Sequence, residues 1–442
     1  MVATRLVPLG LTVASLAGQA IAQSSSLNFS FLTMNVAGLP SILNSNDESS
    51  DKTSNSELIG TYFATYNFDA IHVQEDFNYH AYIYSTDNHA YRTSTSGGAG
   101  IGSGLNSLAH YDWLDFTRIK WDDCSNDSEY DCWTPKGFTF MRMHLDTGVY
   151  IDFYNLHADA GTEDGDEEAR TANIEQVVDY METYSVGNAV IVAGDTNSRY
   201  TRTADNIRIL STEGNMTDVW VELERDGTAP AAGADAITCD NPSTVLTCET
   251  VDKVFYKGND MISLSAFNFS YEAGMFLTTD GDTLTDHNPI MVNFTYTLSD
   301  SIRQSDQFGG PHGTYFNDLP SLPTSPKTSS ITVSGGNRLD SVSLTLSDST
   351  TFTHGGSGGT SYSLTLGDSE YWTEAKLCEG KYNSHTRNFY IKVTTSDGNT
   401  ISAGKTTSDC ETFTAPDGFQ IVGFYGRDGD EMDRIGFIYA PQ

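Results

Sequence analysis

Basic residues are scarce in this chain. Lys and Arg number 24 against 59 Asp and Glu, which gives a formal charge of −35 at pH 7 over 442 residues. Charge-driven binding to a polyanion requires many Lys and Arg side chains to neutralise phosphates. The composition therefore disfavours a sequence-independent nucleic-acid binder. A divalent metal would instead bring positive charge to one site within this negative field.

Long apolar runs are also lacking. Past residue 22 no run approaches the ~20 apolar residues of a membrane-spanning helix, so we expect no transmembrane segment. The start combines Arg5, an apolar stretch over residues 6–16, and Ala20-Ile21-Ala22 before Gln23. This pattern is typical of a cleaved signal peptide. We therefore expect residues 1–22 to be removed and the mature protein to be secreted, extracellular and monomeric.

Cysteines are few, and none lies in a CxxC pair or at metal-type spacing from histidine. Disulfides are favoured over zinc in a secreted chain. Six thiols allow 15 pairings, and proximity in the sequence favours Cys124–Cys132, Cys239–Cys248 and Cys378–Cys410. Sequons of the Asn-x-Ser/Thr type, which suit a glycoprotein, occur at Asn28, Asn126, Asn215, Asn268 and Asn293.

The length predicts two domains, because one core rarely grows past roughly 300 residues. Strand-like runs cover residues 29–35, 70–74, 149–154 and 189–192, and helical spacing covers residues 57–66 and 167–184. After residue 297 helical patterning ends, and short strands such as 341–346, 362–366 and 389–393 alternate with turns. We predict a mixed α/β domain over residues 23–299, a linker over 300–307 and an all-β domain over 308–442.

Polar side chains occur where the apolar strands of the first domain end. They are Asn35, Glu75, His157, Asp159, Asp195, Asn197, Asp252, Asp286 and His287. Any one of them alone has a structural explanation, such as a turn cap or a buried histidine with satisfied hydrogen bonds. Rigid strands that deliver so many such groups instead favour an active site.

The chemistry of these groups suggests a division of roles. Oxygen donors on Asn35, Glu75 and Asp286 suit a hard cation such as Mg²⁺, with Mn²⁺ and Ca²⁺ as alternatives. The pair Asp195 and Asn197 can position a water molecule and a phosphoryl oxygen. The imidazoles of His157 and His287 can contact the phosphoryl oxygens, and the carboxylate of Asp252 is suited to support them.

These motifs resemble, in order, those of the endonuclease/exonuclease/phosphatase superfamily. They are Met34-Asn35-Val36-Ala37-Gly38, Val73-Gln74-Glu75, Asn155-Leu156-His157-Ala158-Asp159, Gly194-Asp195-Thr196-Asn197, Val251-Asp252-Lys253 and Thr285-Asp286-His287. The resemblance implies a four-layer α/β sandwich with two packed sheets and the site at one end. It also implies catalytic roles for His157, Asp195, Asn197, Asp252 and His287, with metal ligands at Asn35, Glu75 and Asp286.

The subfamily is less defined. The segment Trp133-Thr134-Pro135-Lys136-Gly137 is similar to the Lys-Gly segment of sphingomyelinase-like members, although a surface lysine is the more ordinary interpretation of Lys136. Neither an apolar hairpin for a bilayer nor a basic face for DNA is evident. The substrate is therefore left open between a phospholipid headgroup and nucleic acid.

The two ends of the second domain resemble a jacalin-type lectin. They are Phe308-Gly309-Gly310-Pro311-His312-Gly313 and Gly429-Asp430-Glu431-Met432-Asp433. The resemblance implies a β-prism of three sheets and a metal-free sugar site formed by Gly313, Asp430, Glu431 and Asp433. A carboxylate that accepts hydrogen bonds from sugar hydroxyls makes the stronger, charge-assisted kind of bond.

The leading hypothesis is thus a secreted, Mg²⁺-dependent phosphoesterase, most readily a phosphodiesterase, that a lectin domain tethers to glycans. The alternative is a carbohydrate-binding protein whose first domain has lost activity. The intact set of polar residues argues against that alternative.

Overall fold

The computed structural model describes residues 25–39, 51–128 and 131–442, so the expected signal peptide lies outside the described residues. The fold is mostly β with few helices. The helices are α1 (Lys52–Tyr66), α2 (His80–Thr86), α3 (Asp164–Tyr184), α4 (Ile209–Thr212) and α5 (Val219–Glu224). The strands before residue 300 are β1 (Ser26–Asn35), β2 (Ala70–Gln74), β3 (Tyr91–Arg92), β4 (Asn106–Ala109), β5 (Trp113–Lys120), β6 (Gly137–Asp146), β7 (Val149–His157), β8 (Ala189–Asp195), β9 (Thr217–Asp218), β10 (Asp252–Lys257), β11 (Ile262–Tyr271) and β12 (Ile290–Leu298).

These strands form two six-stranded sheets, with orders β11-β12-β1-β2-β4-β3 and β5-β6-β7-β8-β10-β9. The pairs β1–β2 and β7–β8 are parallel and the other pairs are antiparallel. The strands predicted at residues 29–35, 70–74, 149–154 and 189–192 are confirmed, as are both predicted helices. Most of these elements extend a few residues beyond the predicted bounds.

Aromatic rings fill the space where the two sheets meet. Phe153 of β7 lies 6.4 Å from Phe29 and 5.7 Å from Phe31 of β1, measured between ring centroids. All three rings are buried. Successive side chains of a strand point to opposite faces, so Leu32 and Met34 of β1 belong to a separate cluster on the other face of their sheet.

Each sheet has a helix against it. Ile59 and Phe63 of α1 share the buried cluster of Leu32 and Met34. Helix α3 places Ile174, with Val177, Val178 and Met181, in the cluster that includes β7 and β8. The spacing of three to four residues in α3 puts these side chains on one stripe, and burial of that stripe stabilises the helix.

The chain after residue 300 folds into three antiparallel sheets. Its strands are β13 (Arg303–Gln304), β14 (Phe308–Gly309), β15 (Thr314–Asn317), β16 (Thr328–Gly335), β17 (Leu339–Leu346), β18 (Thr351–Gly355), β19 (Thr360–Thr365), β20 (Trp372–Tyr382), β21 (His385–Thr395), β22 (Thr400–Gly404), β23 (Asp409–Thr414), β24 (Phe419–Asp428) and β25 (Met432–Pro441). Fully buried Trp372 packs against Phe424 and Phe437 from a neighbouring sheet. The predicted change to an all-β texture is confirmed.

All six cysteines form disulfides, and the three predicted pairs are confirmed as Cys124–Cys132, Cys239–Cys248 and Cys378–Cys410. The last pair joins directly opposed residues of β20 and β23. The first two pairs close short loops, since their cysteines are 8 and 9 residues apart in the sequence. Both loops lie near the polar strand ends, because Ser125 donates its N–H to Asp159 and Asn241 donates to the carbonyl of Thr285.

The segment expected to be a linker, residues 300–307, is structured. Its strand β13 pairs with Tyr439 and Ile438 of β25. Ser305 is buried, and Asp306 accepts hydrogen bonds from Gly148 N (2.6 Å) and faces His144 Nε2 (3.0 Å). This stretch therefore joins the two halves through specific contacts and does not behave as a free spacer.

Within the described residues, we find no helix that combines the length and the apolar character needed to cross a membrane.

The aromatic contact between the sheets generates a stability prediction. Phe153→Ala should lower the free energy of unfolding by about 3–5 kcal/mol, because it leaves a cavity where three rings meet. Urea denaturation of the full chain measures this change. Phe267→Ala is the matched control, since that ring is 54% exposed and its removal should cost no more than about 0.5 kcal/mol. Equal effects of the two substitutions would contradict the described core.

Candidate functional site

Three of the predicted residues lie in one row across the second sheet. His157 ends β7 and is in register with Asp195, which ends β8. Asp195 is in turn in register with Asp252, which begins β10. All three side chains are buried. The row follows from the strand directions, since the parallel pair β7–β8 ends where antiparallel β10 begins.

Close approach of the backbones explains the glycine before Asp195. A Cβ on Gly194 would lie 2.1 Å from the carbonyl oxygen of Leu156, and the residue has φ = +142°. A larger residue would push β7 and β8 apart and misalign His157 with Asp195. The Gly-Asp pair is therefore a requirement of this strand end.

His287 faces the row from the loop before β12. Its Nδ1 lies 2.8 Å from Asp252 Oδ2, and its Nε2 lies 3.8 Å from Asp195 Oδ2. Burial alone would lower the pKa of His287, but Asp252 and Asp195 outweigh it and hold that pKa well above its usual value. His287 is thus a protonated imidazolium at neutral pH, with its ring orientation fixed by Asp252.

His157 has the opposite charge state. Its Nε2 lies 3.5 Å from Asp195 Oδ2, and its buried Nδ1 has no hydrogen-bond partner among the described residues. Burial, followed by the nearby charge of Lys136, lowers the pKa of His157 to about 4. Two histidines on one carboxylate therefore differ in charge, with a neutral and a protonated imidazole side by side.

Asp195 and Asn197 form a tight turn at the strand end. Asp195 Oδ1 accepts the N–H of Asn197 at 3.0 Å, and Asn197 has the left-handed backbone value φ = +50°. Burial would raise the pKa of Asp195, but His287, His157 and Lys136 together leave it below its usual value. Asp195 is therefore an ionised acceptor, as a group that orients water must be.

The first sheet contributes Asn35 and Glu75. Asn35 Nδ2 lies 3.2 Å from both Glu75 Oε1 and Asp195 Oδ2, so its amide bridges the two sheets. Glu75 follows β2 with φ = +57°, and its buried Oε2 has no hydrogen-bond partner among the described residues. Burial raises the pKa of Glu75, although Lys136 acts against it.

A buried carboxylate oxygen with no partner fits a divalent cation. Glu75 offers an oxygen donor of the kind that Mg²⁺ prefers. The amide of Asn35 turns its Nδ2 to Glu75, while its Oδ1 accepts the N–H of Ala37 at 3.0 Å. Asp286 is exposed, and its charge raises the pKa of both Glu75 and His287, so it lies near them. The two acidic residues predicted as metal ligands are thus brought near one another.

A second grouping is also compatible with a metal by distance alone. Ligand atoms of Asp195, Asp252 and His287 all lie within 4.8 Å of one another. We favour the Glu75 side, because His287 is held protonated by the two carboxylates and a protonated imidazole has no lone pair to donate. The compact group is better explained as a hydrogen-bonded acid–base pair beside Asp195.

Lys136 belongs to the site, although the sequence favoured an ordinary surface lysine. Its side chain is only 11% exposed, and its Nζ lies 2.5 Å from Asp131 Oδ1. Its charge acts on Glu75, His157 and Asp195. The sequence signal for a role of Lys136 in the site is the Lys-Gly pair at the start of β6. Asp159, in contrast, accepts the N–H of Ser125 and supports the neighbouring loop.

Two of the four predicted sugar-site residues come together in the second half. A Cβ on Gly313 would lie 2.7 Å from Asp433 Oδ2, so only glycine fits here, and its φ is +75°. Asp433 is buried, with Oδ1 lacking a hydrogen-bond partner among the described residues. Arg387 Nη1 lies 3.6 Å from that oxygen. The carboxylate of Asp433 thus lies beside a glycine and has one oxygen without a hydrogen-bond partner, so it is suited to accept a hydrogen bond from a hydroxyl.

Glu431 and Asp430 are placed differently. Glu431 forms a two-point ion pair with Arg338 and also faces Arg387 at 3.5 Å. Its carboxylate is therefore engaged within the protein. Asp430 is exposed on the loop tip. These two residues do not share the arrangement of Gly313 and Asp433.

The Gly-x-x-x-Asp spacing of Gly429 to Asp433 occurs a second time, at Gly336 to Asp340. A Cβ on Gly358 would lie 2.3 Å from Asp340 Oδ1, and one on Gly359 would lie 2.6 Å from Oδ2. Glycine backbone therefore crowds this carboxylate as Gly313 crowds Asp433. The repeated Gly-x-x-x-Asp spacing is the sequence signal for this second arrangement of glycine and carboxylate.

Comparison with known proteins matches both halves. Residues 46–241 match the family model for Endonuclease/Exonuclease/phosphatase family 2, and residues 305–438 match the model for the Jacalin-like lectin domain. The chain therefore contains a domain of each of these two families, as the motifs predicted.

Individual relatives match parts of the chain. A sphingomyelinase of Mycobacterium tuberculosis is 32% identical over 299 residues, which cover 64% of this chain and 56% of that protein. The chain thus spans little more than half the length of that relative. A beta toxin structure from Staphylococcus aureus covers 60% of this chain and 99% of its own, at 14% identity and a TM-score of 0.42. A Malaysian banana lectin structure covers 31% of this chain and 98% of its own, at 22% identity and a TM-score of 0.28.

The charge of His287 generates a pH prediction. Asp252→Asn removes the carboxylate that raises the pKa of His287, so this imidazolium should lose its proton at lower pH. The alkaline limb of the kcat/KM profile should move to lower pH by about 1–3 pH units. The shift is measured from the hydrolysis of bis(p-nitrophenyl) phosphate across pH 5–10, roughly the range in which such groups titrate.

A second Asp–His pair supplies the control. Asp318 lies 2.8 Å from His354 Nε2, far along the chain in the jacalin-like domain, and Asp318→Asn should leave the profile unmoved. An unshifted alkaline limb in Asp252→Asn would contradict the assigned role of His287.

Proposed function

We propose that the first domain is a metal-dependent phosphodiesterase that cleaves phospholipid headgroups of the sphingomyelin type. The row of His157, Asp195 and Asp252, faced by His287 and Asn35, is the observation that carries the proposal. It combines an ionised acceptor, a protonated donor and a neutral imidazole in one buried cluster. Those are the groups that a water attack on a phosphate ester requires.

In this mechanism Asp195 orients a water molecule and takes up its proton as the water oxygen bonds to phosphorus. The bond from phosphorus to the leaving alcohol breaks, and the leaving oxygen receives the proton held on His287. Asp252 keeps the His287 ring in place and favours its charged form. His157 and Asn197 contact the phosphoryl oxygens.

A cation held by Glu75 and Asp286, with the amide of Asn35 turned to present its oxygen, would act as a Lewis acid that offsets the charge developing on phosphate. Lys136 would add a positive charge on the same side. Its pairing with Asp131 keeps the ammonium close to Asp195, where its charge is felt. We favour Mg²⁺ because the donors are oxygens, with Mn²⁺ and Ca²⁺ as alternatives.

A lipid substrate is favoured over nucleic acid by two considerations. The sphingomyelinase relative is 32% identical over 299 residues, which cover 64% of this chain. The −35 charge would also oppose the approach of a long polyanion, whereas a single zwitterionic headgroup meets no such barrier. An inactive first domain is disfavoured because the polar set is complete and mutually oriented.

We propose further that the sheets and their flanking helices α1 and α3 make a four-layer α/β sandwich over residues 23–299. The domain over 308–442 would be a β-prism that binds glycans through Gly313 and Asp433. The protein would be secreted and monomeric. Binding to surface glycans would raise the local concentration of the enzyme at its substrate.

The catalytic proposal predicts a substrate preference. With Mg²⁺, the purified chain should release phosphocholine from sphingomyelin vesicles faster than it nicks plasmid DNA, and EDTA should abolish both activities. Asp195→Ala or His287→Ala should each lower kcat by about 10²–10⁴-fold, as loss of a proton-transfer group does. Asp235→Ala is the control for folding and charge, since that carboxylate is exposed in the loop between α5 and β10. Full activity in Asp195→Ala would refute the mechanism.

The proposed glycan site predicts that two acidic residues of one loop, Asp430 and Asp433, contribute unequally to sugar binding. Asp433→Ala should weaken binding to immobilised mannose or galactose by about tenfold or more, because it removes charge-assisted hydrogen bonds. Asp430→Ala, in the exposed loop tip, should have a smaller effect. Surface plasmon resonance with the full chain measures both. Equal loss in the two variants would contradict the placement of the sugar at Asp433.

A further inference from the structure

A buried carboxylate of the first domain lies at its contact with the jacalin-like domain. Asp115 lies at a bulge of β5, where the register with β6 shifts between Leu114 and Thr117. Its φ is +59°, and its side chain is 1% exposed. A bulge re-aims a side chain, and here it aims the carboxylate of Asp115 out of the sheet and into the interface.

Three guanidinium groups converge on this carboxylate. Arg427 Nε of β24 donates to Oδ2 at 3.0 Å, and Arg434 Nη1 of β25 donates to Oδ1 at 2.8 Å. Arg142 Nη1 of β6 lies 3.7 Å from Oδ2. Burial would raise the pKa of Asp115, but the three arginines lower it, so the group is ionised.

The two arginines from the jacalin-like domain depend on this single acid. Among residues 25–39, 51–128 and 131–442, Asp115 is the only carboxylate within 4.0 Å of either Arg427 or Arg434. Both guanidinium groups are largely buried. Without Asp115 two positive charges would lie close together and unpaired, and such a loss is strongly destabilising for a buried ion pair.

The same arginines reach the candidate sugar site. While Arg427 Nε binds Asp115, its Nη1 donates to the carbonyl oxygen of Gly313 at 3.1 Å. Arg434 directly follows Asp433 in β25. The carboxylate of Asp115 is thus connected to Gly313 through the side chain of Arg427. It is connected to Asp433 through the adjacent residue Arg434.

We propose that Asp115 is a positioning residue for the glycan site, so that the first domain completes the binding loops of the second. The inference rests on the proposed glycan binding through Gly313 and Asp433. Asp115 fixes the guanidinium of Arg427, which fixes the backbone of Gly313 against the carboxylate of Asp433. That gap is narrow, because a Cβ at Gly313 would already lie 2.7 Å from Asp433 Oδ2. A small shift of either loop would therefore alter where a sugar hydroxyl binds.

The location of Asp115 separates this role from catalysis. From Asp115, β5 runs toward Trp121, whose indole N–H donates to the carbonyl of His157 at 2.8 Å. The six residue steps from Asp115 to Trp121 span about 20 Å of extended chain. Asp115 and the catalytic row thus lie at opposite ends of the sheet, and a change at Asp115 should reach the sugar loops first.

The test uses the full chain on surfaces of immobilised mannose and galactose. Asp115→Asn keeps the shape of the side chain but removes its charge. Its affinity for the sugar that the wild type binds should be lower by roughly tenfold, the scale of a lost charge-assisted contact. Hydrogen exchange of the segment containing His312 to Tyr315 should speed up in the same variant. Hydrolysis of soluble bis(p-nitrophenyl) phosphate reports on folding of the first domain.

Asp306→Asn is the matched control, because that carboxylate also crosses the interface but binds His144 and Gly148 and does not contact Arg427. It should leave sugar binding unchanged. Arg427→Lys is the second variant, in case Asp115→Asn fails to fold. A lysine cannot donate to Asp115 and Gly313 in the same fork geometry, so it should weaken binding to a similar degree.

The outcomes separate the two proposals. Wild-type affinity in Asp115→Asn, or in Arg427→Lys if the first variant does not fold, overturns the positioning role and leaves glycan binding intact. Equal losses in Asp115→Asn and Asp306→Asn overturn it also, because the effect would then be a general one on the interface. A wild-type chain that binds neither sugar overturns the glycan proposal and this inference with it.

Discussion

The burial of an ionised Asp195 between two imidazoles is the interaction on which the first domain depends. A carboxylate removed from water requires compensating charge and hydrogen bonds, and here His287, the Asn35 amide and the Asn197 N–H supply them. Asp252 then stabilises the charge on His287 from the other side. Because each group sustains the ionisation state of the next, the cluster constrains the register of β7, β8 and β10 and the distance between the two sheets.

The second domain follows a related rule at its own contact with the first. There a single buried acid, Asp115, neutralises arginines from the jacalin-like strands, and one of those arginines also holds the backbone of Gly313. The segment at 300–307 reinforces the contact through β13 and Asp306. The two halves are therefore joined as one unit at the end of the sheet away from His157 and Asp195. A glycan held by the second domain would keep the catalytic row free to meet a substrate.

Much of this arrangement could be predicted from the sequence, because strands are rigid and deliver their last residue to a defined edge. The polar residues that end β1, β7 and β8, and the one that follows β2, are predictable in this way. Proximity in the sequence made the disulfide pairs predictable, although Cys378 and Cys410 are 32 residues apart. What could not be predicted depends on contacts between distant parts of the chain. The burial of Lys136 beside Asp131, the capture of Glu431 by Arg338 and the convergence of arginines on Asp115 carry no local signal. The contacts of residues 300–307 carry no local signal either, since the polar composition is that of a linker although Arg303 and Gln304 pair with β25.

In the proposed mechanism, water oriented by Asp195 attacks phosphorus in a diester. Hydrolysis of sphingomyelin by the full chain in ¹⁸O-labelled water, followed by mass spectrometry of both products, shows where the water oxygen goes. One labelled oxygen should appear in the phosphocholine and none in the lipid alcohol. Label in the alcohol, or no hydrolysis at all in the presence of Mg²⁺, would contradict this mechanism.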